Sequence, residues 1–326
     1  MKTIMHWILA AILICSTSVF TACTIEDNPT DAETGASKLV MITKHGKVDY
    51  WQQVETAFRN FCKEKDMEAL YYTTIENNAY EEQIAAIEDL IKRKDTKLRG
   101  IIYAPSFGPN GETADAEVYA FAKELGIPVI IIDSEVKATS PLAARPYYGT
   151  DNTAAGKALA AEVTGDKVAA FALNMGPGME RAEAFKSVKP GTTIYKVNED
   201  AATIVEAVIE EYDDFVFFNG SILNNVLPLL KAKGKSVYTF DIYESFLDEL
   251  IAGNPNFKGV MNQSNFEMTR KAAEAVIANT KQGEMIPTFF ITKNNLNDPA
   301  VKPFLEFYNK PVPAIIENLS EKLIGK

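Results

Sequence analysis

Short runs of β-branched and apolar residues alternate with longer amphipathic segments along this chain, and this alternation restricts the fold more than any other feature. In the first half the apolar runs are KLVMIT, ALYYT, GIIYA and IPVIIID, and the amphipathic segments include 80–93 and 118–125. Short continuous apolar runs indicate buried strands, whereas apolar residues spaced by three and four indicate helices. The order β-α-β-α-β-α-β predicts a parallel sheet with helices on both faces.

The second half of the chain starts the same pattern again. The predicted strands are 167–173, 215–218 and 236–241, and the predicted helices are 180–188, 202–211 and 222–232. The length of the chain also favours two domains over one. The predicted fold class is therefore α/β, with two Rossmann-like parallel-sheet lobes.

Polar side chains stand where several of these strands end. Asp133 ends IPVIIID, Asn219 follows FVFF, and Asp241 ends SVYTF. Ligands bind at the carboxyl ends of strands in open parallel sheets, so these side chains together predict a site, although each alone could be a helix cap or a turn residue. Arg181 follows the turn Gly-Pro-Gly at 176–178 and could point into the same cleft, with a surface salt bridge as the alternative.

The charge and the few reactive side chains exclude several kinds of protein. A net charge of -11 argues against a nucleic-acid partner. We expect no metal and no cofactor, because His45 is the only histidine beyond the N-terminal segment and Cys62 lies on the apolar stripe of a predicted helix. No Ser-His-Asp or Cys-His set can be assembled, which argues against an enzyme. The pair Asp133 and Asp241 leaves glycoside hydrolysis as the alternative from another class.

The N-terminus predicts export and lipid anchoring. Residues 1–22 read as a signal peptide, since a lysine precedes an apolar run too short to cross a hydrocarbon core of about 30 Å. FTAC at 20–23 resembles a bacterial lipoprotein box, which implies a lipidated Cys23 and a periplasmic or cell-surface protein held to a membrane by lipid alone. An ordinary secretory signal is the alternative. The polar composition of 23–37 predicts a flexible tether.

Several motifs stand in a familiar order along the folded part. They are LVMITKHGKVDYWQQVETAF, IPVIIID, YYGTDNTAAGKALA, MERAEAF, FFNG, TFD and GVMNQS. Through them, residues 38 to about 292 resemble the type I periplasmic binding proteins, the ribose- and galactose-binding receptors that deliver sugars to ABC transporters. The resemblance implies an aromatic pair that stacks on a sugar and polar contacts to its hydroxyls. These are Tyr50, Trp51, Asp133, Arg181, Asn219, Asp241 and Gln263.

Two departures from the residues of that family leave the identity of the bound sugar undetermined. Ser134 stands where ribose receptors carry an arginine, and Ala104 stands where they carry an asparagine. One mispaired buried polar group costs roughly 1 to 3 kcal/mol, so either change could alter the preferred sugar.

The chemistry of these residues fits a neutral polyhydroxy ligand. Carboxylates, amides and a guanidinium can each bind two adjacent hydroxyls, while aromatic faces cover the apolar side of a sugar. His45 lies just past the first strand and is a further candidate contact. Phe107, Phe240 and Tyr243 could add stacking surface or serve as core, and Phe240 is the one we favour for the site.

The resemblance also implies the domain organisation and the partner. The lobes are expected at 38–150 plus 264–290 and at 151–263 plus 291–326, with hinge crossovers near 150–151, 263–264 and 288–291 that allow closure on the ligand. An ABC permease or the periplasmic domain of a sensor kinase would read the closed form. The export signal excludes a DNA-binding repressor of the same fold. A monomer is expected, and residues 294–326, which extend beyond the family core, are expected to pack across the lobes.

Overall fold

The helices and strands of this protein build two six-stranded sheets. A computed structural model describes residues 35–76, 79–106, 110–174, 176–198 and 200–311. The elements of its first part are β1 (Lys38–Ile42), α1 (Asp49–Glu64), β2 (Glu68–Tyr72), α2 (Tyr80–Arg93), β3 (Leu98–Tyr103), α3 (Gly111–Leu125), β4 (Val129–Ile132) and β5 (Tyr147–Thr150).

The remaining elements follow in chain order. They are α4 (Asn152–Glu162), β6 (Val168–Leu173), α5 (Pro177–Val188), β7 (Thr193–Val197), α6 (Ala202–Val208), β8 (Asp214–Phe217), α7 (Gly220–Ala232), β9 (Ser236–Phe240), α8 (Glu244–Ile251), β10 (Phe257–Asn262), α9 (Asn265–Ala278), β11 (Glu284–Ile286), β12 (Phe289–Ile291) and α10 (Lys302–Phe307).

The two sheets have the same strand arrangement. The first runs β11-β5-β4-β3-β1-β2, and the second runs β12-β10-β9-β8-β6-β7. Neighbouring strands of the first sheet are parallel. Those of the second are also parallel, except that β12 runs antiparallel to β10. The predicted class, two parallel-sheet α/β lobes, is confirmed.

Both faces of each sheet are covered, which explains why the strands read as continuous apolar runs. In β1, Leu39 and Met41 pack under α1 and α9, whereas Val40 and Ile42 pack under α2 and α3. The second sheet repeats this arrangement, with α6, α7 and α8 on one face and α4 and α5 on the other. Side chains that alternate between two cores fix the register of central strands such as β1.

Several elements differ from the sequence prediction. Helix α6 ends at Val208, three residues earlier than predicted. Helix α5 begins at Pro177, because proline is tolerated at the first helical position, where its missing N–H has no partner to lose. The edge strands β7, β11 and β12 and the short strand β5 were not predicted, since they are short or half-exposed and carry weak apolar patterns. The buried strand β10 was also not predicted, because Lys258 and Gly259 interrupt its apolar run.

The chain passes between the sheets at three places, after β5, after β10 and after β11. The third crossover differs from the predicted lobe boundary by two residues. Phe289 and Phe290 pair with β10 and therefore belong to the second sheet, because they continue the hydrogen-bond ladder at its edge. We call the part built on the first sheet the first lobe and the part built on the second sheet the second lobe.

The chain beyond the third crossover joins the second lobe. Val301, Phe304 and Leu305 of the α10 region are buried in the core beneath α6, α7 and α8. Within the described ranges, no helix has both the length and the apolar character needed to cross a membrane.

Candidate functional site

A cavity of about 290 Å³ lies where the carboxyl ends of strands from both lobes meet. The first lobe contributes the turns after β1 and β4, and the second lobe contributes the turns after β6, β8 and β9 together with the start of α5. The predicted contacts that line it are His45, Tyr50, Trp51, Asp133, Arg181, Asn219, Asp241 and Gln263.

Unusual backbone conformations mark the strand ends that face this cavity. His45, Asp133 and Asp241 have φ values of 53°, 65° and 62°. This left-handed region is uncommon for residues other than glycine, and residues held in it cluster at functional sites. Each strand therefore turns sharply at its end.

The first-lobe side of the cavity contains a buried ion pair. The Nζ of Lys44 lies 3.2 Å from Asp133 Oδ2, and the Lys44 side chain is only 4% exposed. Its ammonium also donates to the carbonyl of Pro105 and to Ser134 Oγ, each at 3.0 Å. Ser134 Oγ donates in turn to Asp133 Oδ2 at 2.6 Å. Burial lowers the pKa of Lys44, and the Asp133 carboxylate opposes this effect.

Lys44 is the main residue of this site that sequence reasoning missed. Its signal was its place between the end of β1 and His45, at the edge where ligands collect in such sheets. The cation beside Asp133 thus comes from the turn after the first strand, and Ser134 binds both members of the pair rather than supplying a charge of its own.

The predicted aromatic pair opens α1 and lines the cavity. The rings of Tyr50 and Trp51 meet edge to face, with centroids 5.0 Å apart and planes at 86°. A flat ligand can therefore lie parallel to only one of the two rings. Burial raises the pKa of the Tyr50 hydroxyl well above its usual value, and the nearby carboxylates of Asp133 and Asp241 add to the rise. Tyr50 is thus a neutral hydroxyl in this site.

The second-lobe side is organised by Arg181, which is 2% exposed. Its Nε donates to Asn152 Oδ1 at 2.8 Å, and its Nη1 donates to the carbonyl of Phe218 at 3.2 Å. Its Nη2 donates to Gln263 Oε1. The surface salt bridge considered as an alternative for Arg181 is therefore wrong. The guanidinium is instead fixed in one orientation by three neutral acceptors.

Asp241 is joined to Arg181 through Gln263. Gln263 Nε2 donates to Asp241 Oδ1, and the N–H of Gly220 donates to Asp241 Oδ2 at 3.1 Å. Burial raises the pKa of Asp241 above its ordinary value, while the Arg181 charge and these two donors lower it. Gln263 lies at the second crossover, so one amide connects the crossover to both charged side chains.

Asn219 is held by the backbone of a neighbouring strand. Its Oδ1 accepts from the N–H of Leu173 at 3.2 Å. Gly178 lets the start of α5 approach this amide, because a Cβ at that position would lie 2.2 Å from Asn219 Oδ1.

Phe240 was favoured for the site, but the structure corrects this expectation. Its side chain is 0% exposed and does not line the cavity. Its ring lies beneath the Arg181 guanidinium at 4.6 Å and packs against Phe218. Tyr243, the weaker candidate, does line the cavity. Phe107 lies outside the described residues.

The charges that line this cavity balance. Lys44 and Arg181 are cationic, and Asp133 and Asp241 are anionic. Among the residues that the structure describes, no group of three or more His, Cys, Asp or Glu side chains could hold a metal ion. Cys62 is buried as predicted, and burial raises the pKa of its thiol to about 11. The arrangement is suited to hydrogen bonding with an uncharged ligand.

Comparison with protein families gives one match over most of the chain. The family described as periplasmic binding protein domain matches residues 39–284. No curated protein matches the chain.

Solved structures share the fold at low sequence identity. A carbohydrate transporter solute binding protein from Agrobacterium radiobacter, in complex with D-arabinose, is 18% identical with a TM-score of 0.69, over 82% of this chain and 98% of that one. An ABC transporter solute binding protein from Burkholderia graminis, also with D-arabinose, is 20% identical with a TM-score of 0.67, over 81% and 98%. A glucose-galactose binding protein from Geobacillus stearothermophilus is 20% identical with a TM-score of 0.62, over 80% and 99%.

Proposed function

This chain belongs to the periplasmic binding protein domain family, and on that premise we propose that it is an extracytoplasmic receptor that binds a neutral sugar or polyol between its lobes. The observation that carries the proposal is the cavity in which strand ends of both lobes present buried polar groups of balanced charge. A neutral ligand with several hydroxyls can satisfy such groups without adding a charge that needs compensation.

The size of the cavity supports a small ligand. Its volume of about 290 Å³ lies at the lower end of small-molecule pockets, which run from about 300 to 1,000 Å³. This favours a monosaccharide or a small polyol over an oligosaccharide. Sugars in related structures agree with this class, since two of them hold D-arabinose.

The mechanism we propose is closure of the two lobes on the ligand. Residues of both lobes line one cavity, so rotation about the crossovers would open it to solvent and closure would bury the ligand. A membrane partner would then bind the closed form of the receptor. We propose an ABC permease as that partner, with a sensor kinase as the alternative. Two structural neighbours support the permease, because they are described as components of sugar ABC transporters.

The membrane attachment belongs to the same proposal. Lipidation at Cys23 would hold the receptor at the membrane beside its partner, and this residue lies outside the described part of the chain. Metabolic labelling with a radioactive fatty acid tests it, and loss of the label in Cys23→Ala is the expected result.

Thermal unfolding of the protein against a panel of pentoses, hexoses, inositols and small polyols tests the ligand class. A sugar at a hundred times its Kd stabilises the folded state by about 2.7 kcal/mol, which raises Tm by about 4 to 5 °C. The shift should disappear in Asp241→Ala and Arg181→Ala. It should persist in the matched variants Asp213→Ala and Arg99→Ala, whose side chains are exposed and lie outside the cavity. If no member of the panel shifts Tm, the proposed ligand class is wrong.

A further inference from the structure

The segment that follows the third crossover contacts both lobes. Helix α10 is anchored in the second-lobe core by Phe304 and Leu305. The ring of Phe304 meets Phe266 edge to face, with centroids 5.0 Å apart, and the ring of Phe307 lies 6.4 Å from that of Phe266. Phe266 is in the first turn of α9 and packs against this second-lobe core, whereas Met268 and later residues of α9 pack on the first sheet. The C-terminal segment therefore bridges the two lobes at the second crossover.

Polar contacts beside this bridge converge on Tyr308. Its hydroxyl donates to Asp49 Oδ2 at 2.6 Å, has the carbonyl oxygen of Ile242 as a second acceptor at 3.1 Å, and accepts from Gln53 Nε2 at 2.9 Å. Gln53 Nε2 also donates to the carbonyl of Ile242 at 2.8 Å, and Gln53 Oε1 accepts from Asn265 Nδ2 at 2.7 Å. We call these five residues the Tyr308 latch. Asp49 and Gln53 belong to α1 of the first lobe, whereas Ile242 belongs to the second lobe.

The Tyr308 latch lies directly behind the cavity. Ile242 follows Asp241, whose backbone is held in the left-handed region. Asn265 follows the crossover that carries Gln263. Gln53 is 1% exposed, so water does not compete for its bonds. The backbone carbonyl of Ile242, the residue after Asp241, is thus bound to the opposite lobe by Gln53, whose side chain does not line the cavity.

We propose that Tyr308 and Gln53 are positioning residues that hold Asp241 and the second crossover in the arrangement in which both lobes face the ligand. The C-terminal segment thereby sets the freedom of the lobes and, through it, the affinity of the site. The statement about affinity rests on the proposed function, whereas the statement about interlobe freedom does not.

Tyr308→Phe tests the latch because it removes one hydroxyl and keeps the ring. The matched control is Tyr212→Phe. The Tyr212 hydroxyl donates to Thr193 Oγ1 at 3.0 Å and accepts from Tyr195 at 3.1 Å, entirely within the second lobe. Both variants lose one hydroxyl and keep the ring. The Tyr308 hydroxyl has three partners, one of them the Asp49 carboxylate, whereas the Tyr212 hydroxyl has two neutral partners, so Tyr308→Phe is expected to lower Tm more than Tyr212→Phe. The control therefore gives the effect of losing a tyrosine hydroxyl whose contacts stay within one lobe.

Hydrogen exchange of the ligand-free protein is the first readout. In Tyr308→Phe, amides of 241–244 and 263–266 should exchange about tenfold faster than in Tyr212→Phe, since one hydrogen bond to a charged group accounts for about a factor of ten. Gln53→Met, which removes the donor to Ile242, should accelerate the same segments and provides the test if Tyr308→Phe does not fold. Equal exchange of these segments in the latch variants and in Tyr212→Phe would overturn the proposal, whether or not any sugar binds.

The second readout is the affinity for two probes. They are D-arabinose and the sugar that gives the largest thermal shift. Kd should rise about tenfold in Tyr308→Phe and stay unchanged in Tyr212→Phe. Equal Kd values in these two variants would overturn the link to affinity. If the unaltered protein binds no member of the panel, the proposed function fails while the exchange result still decides the latch.

Discussion

Replacing Lys44 by methionine should destabilise the protein strongly, because the change leaves the Asp133 carboxylate in a buried site without its cation. Methionine keeps the length of the side chain and removes only the charge and the donors. The distance of 3.2 Å between Nζ and Oδ2 corresponds to an attraction of about 5 kcal/mol at an effective dielectric constant of about 20. The donors to Pro105 and Ser134 are lost as well.

The expected cost is about 3 to 5 kcal/mol, the usual range when one partner of a buried ion pair is removed. For a protein of this size that corresponds to a decrease in Tm of about 5 to 8 °C. Chemical denaturation of the ligand-free protein measures the free energy directly. Lys47→Met is the matched control, since the Lys47 side chain is 62% exposed in its pair with Glu76, and it should cost less than about 1 kcal/mol.

The double variant Lys44→Met with Asp133→Asn distinguishes the energy of the ion pair from the packing energy of the two side chains. Asparagine has no charge to leave unpaired, so the double variant should be more stable than the sum of the single changes predicts, by about 1 to 3 kcal/mol. The reasoning is refuted if Lys44→Met costs no more than Lys47→Met, or if the two single effects add within about 0.5 kcal/mol.

Two further predictions concern the second lobe. Gly178→Ala should lower the free energy of unfolding by about 1 to 3 kcal/mol, because its Cβ would lie 2.2 Å from Asn219 Oδ1. Gly191→Ala, whose Cβ would have nothing within 4 Å, should be close to neutral. Equal costs of the two changes in chemical denaturation would show that the close approach at Gly178 is unimportant. Burial raises the pKa of Asp241, so the folded state holds its proton more tightly than the unfolded state. The stability of the unaltered protein relative to Asp241→Asn should therefore rise as pH falls through the raised pKa towards 3.8, and a difference that stays constant with pH would contradict this.

The fold could be predicted because the signals that define it are local. Apolar runs such as IPVIIID and VAAFAL lie in strands that are covered on both faces, and this burial is visible in the sequence itself. Strand β5 and the edge strands β7, β11 and β12 escaped prediction because they are short or bury few side chains, and β10 escaped it because Lys258 and Gly259 interrupt its apolar run. Phe289 and Phe290 were assigned to the wrong lobe, since only the ladder with β10 shows which sheet they join.

The site residues that follow parallel strands could be predicted, because such strands end at the same edge of a sheet. Asp133, Asn219 and Asp241 line the same cavity for that reason. Lys44 was missed because a lysine beside a turn is usually a solvated surface residue. Phe240 was assigned to the site although the sequence held a signal for the core. Residues two apart in a strand lie on the same face, and Tyr238 and Phe240 both lie on the buried face of β9.

The Tyr308 latch had no signal in the sequence. Tyr308 and Gln53 are separated by 255 positions, and neither stands at the end of a strand. Only tertiary packing of α10 against α9 brings the hydroxyl to α1. Contacts of this kind depend on the whole fold rather than on a local pattern.

A crystal structure of the protein with the sugar that gives the largest thermal shift tests the central claim most directly. We expect the sugar in the cavity between the lobes, with its hydroxyls within hydrogen-bond distance of Asp133, Arg181 and Asp241 and its ring plane parallel to either Tyr50 or Trp51. A sugar bound elsewhere, or a cavity that holds only water at saturating sugar, would contradict the assignment of this cavity as the binding site.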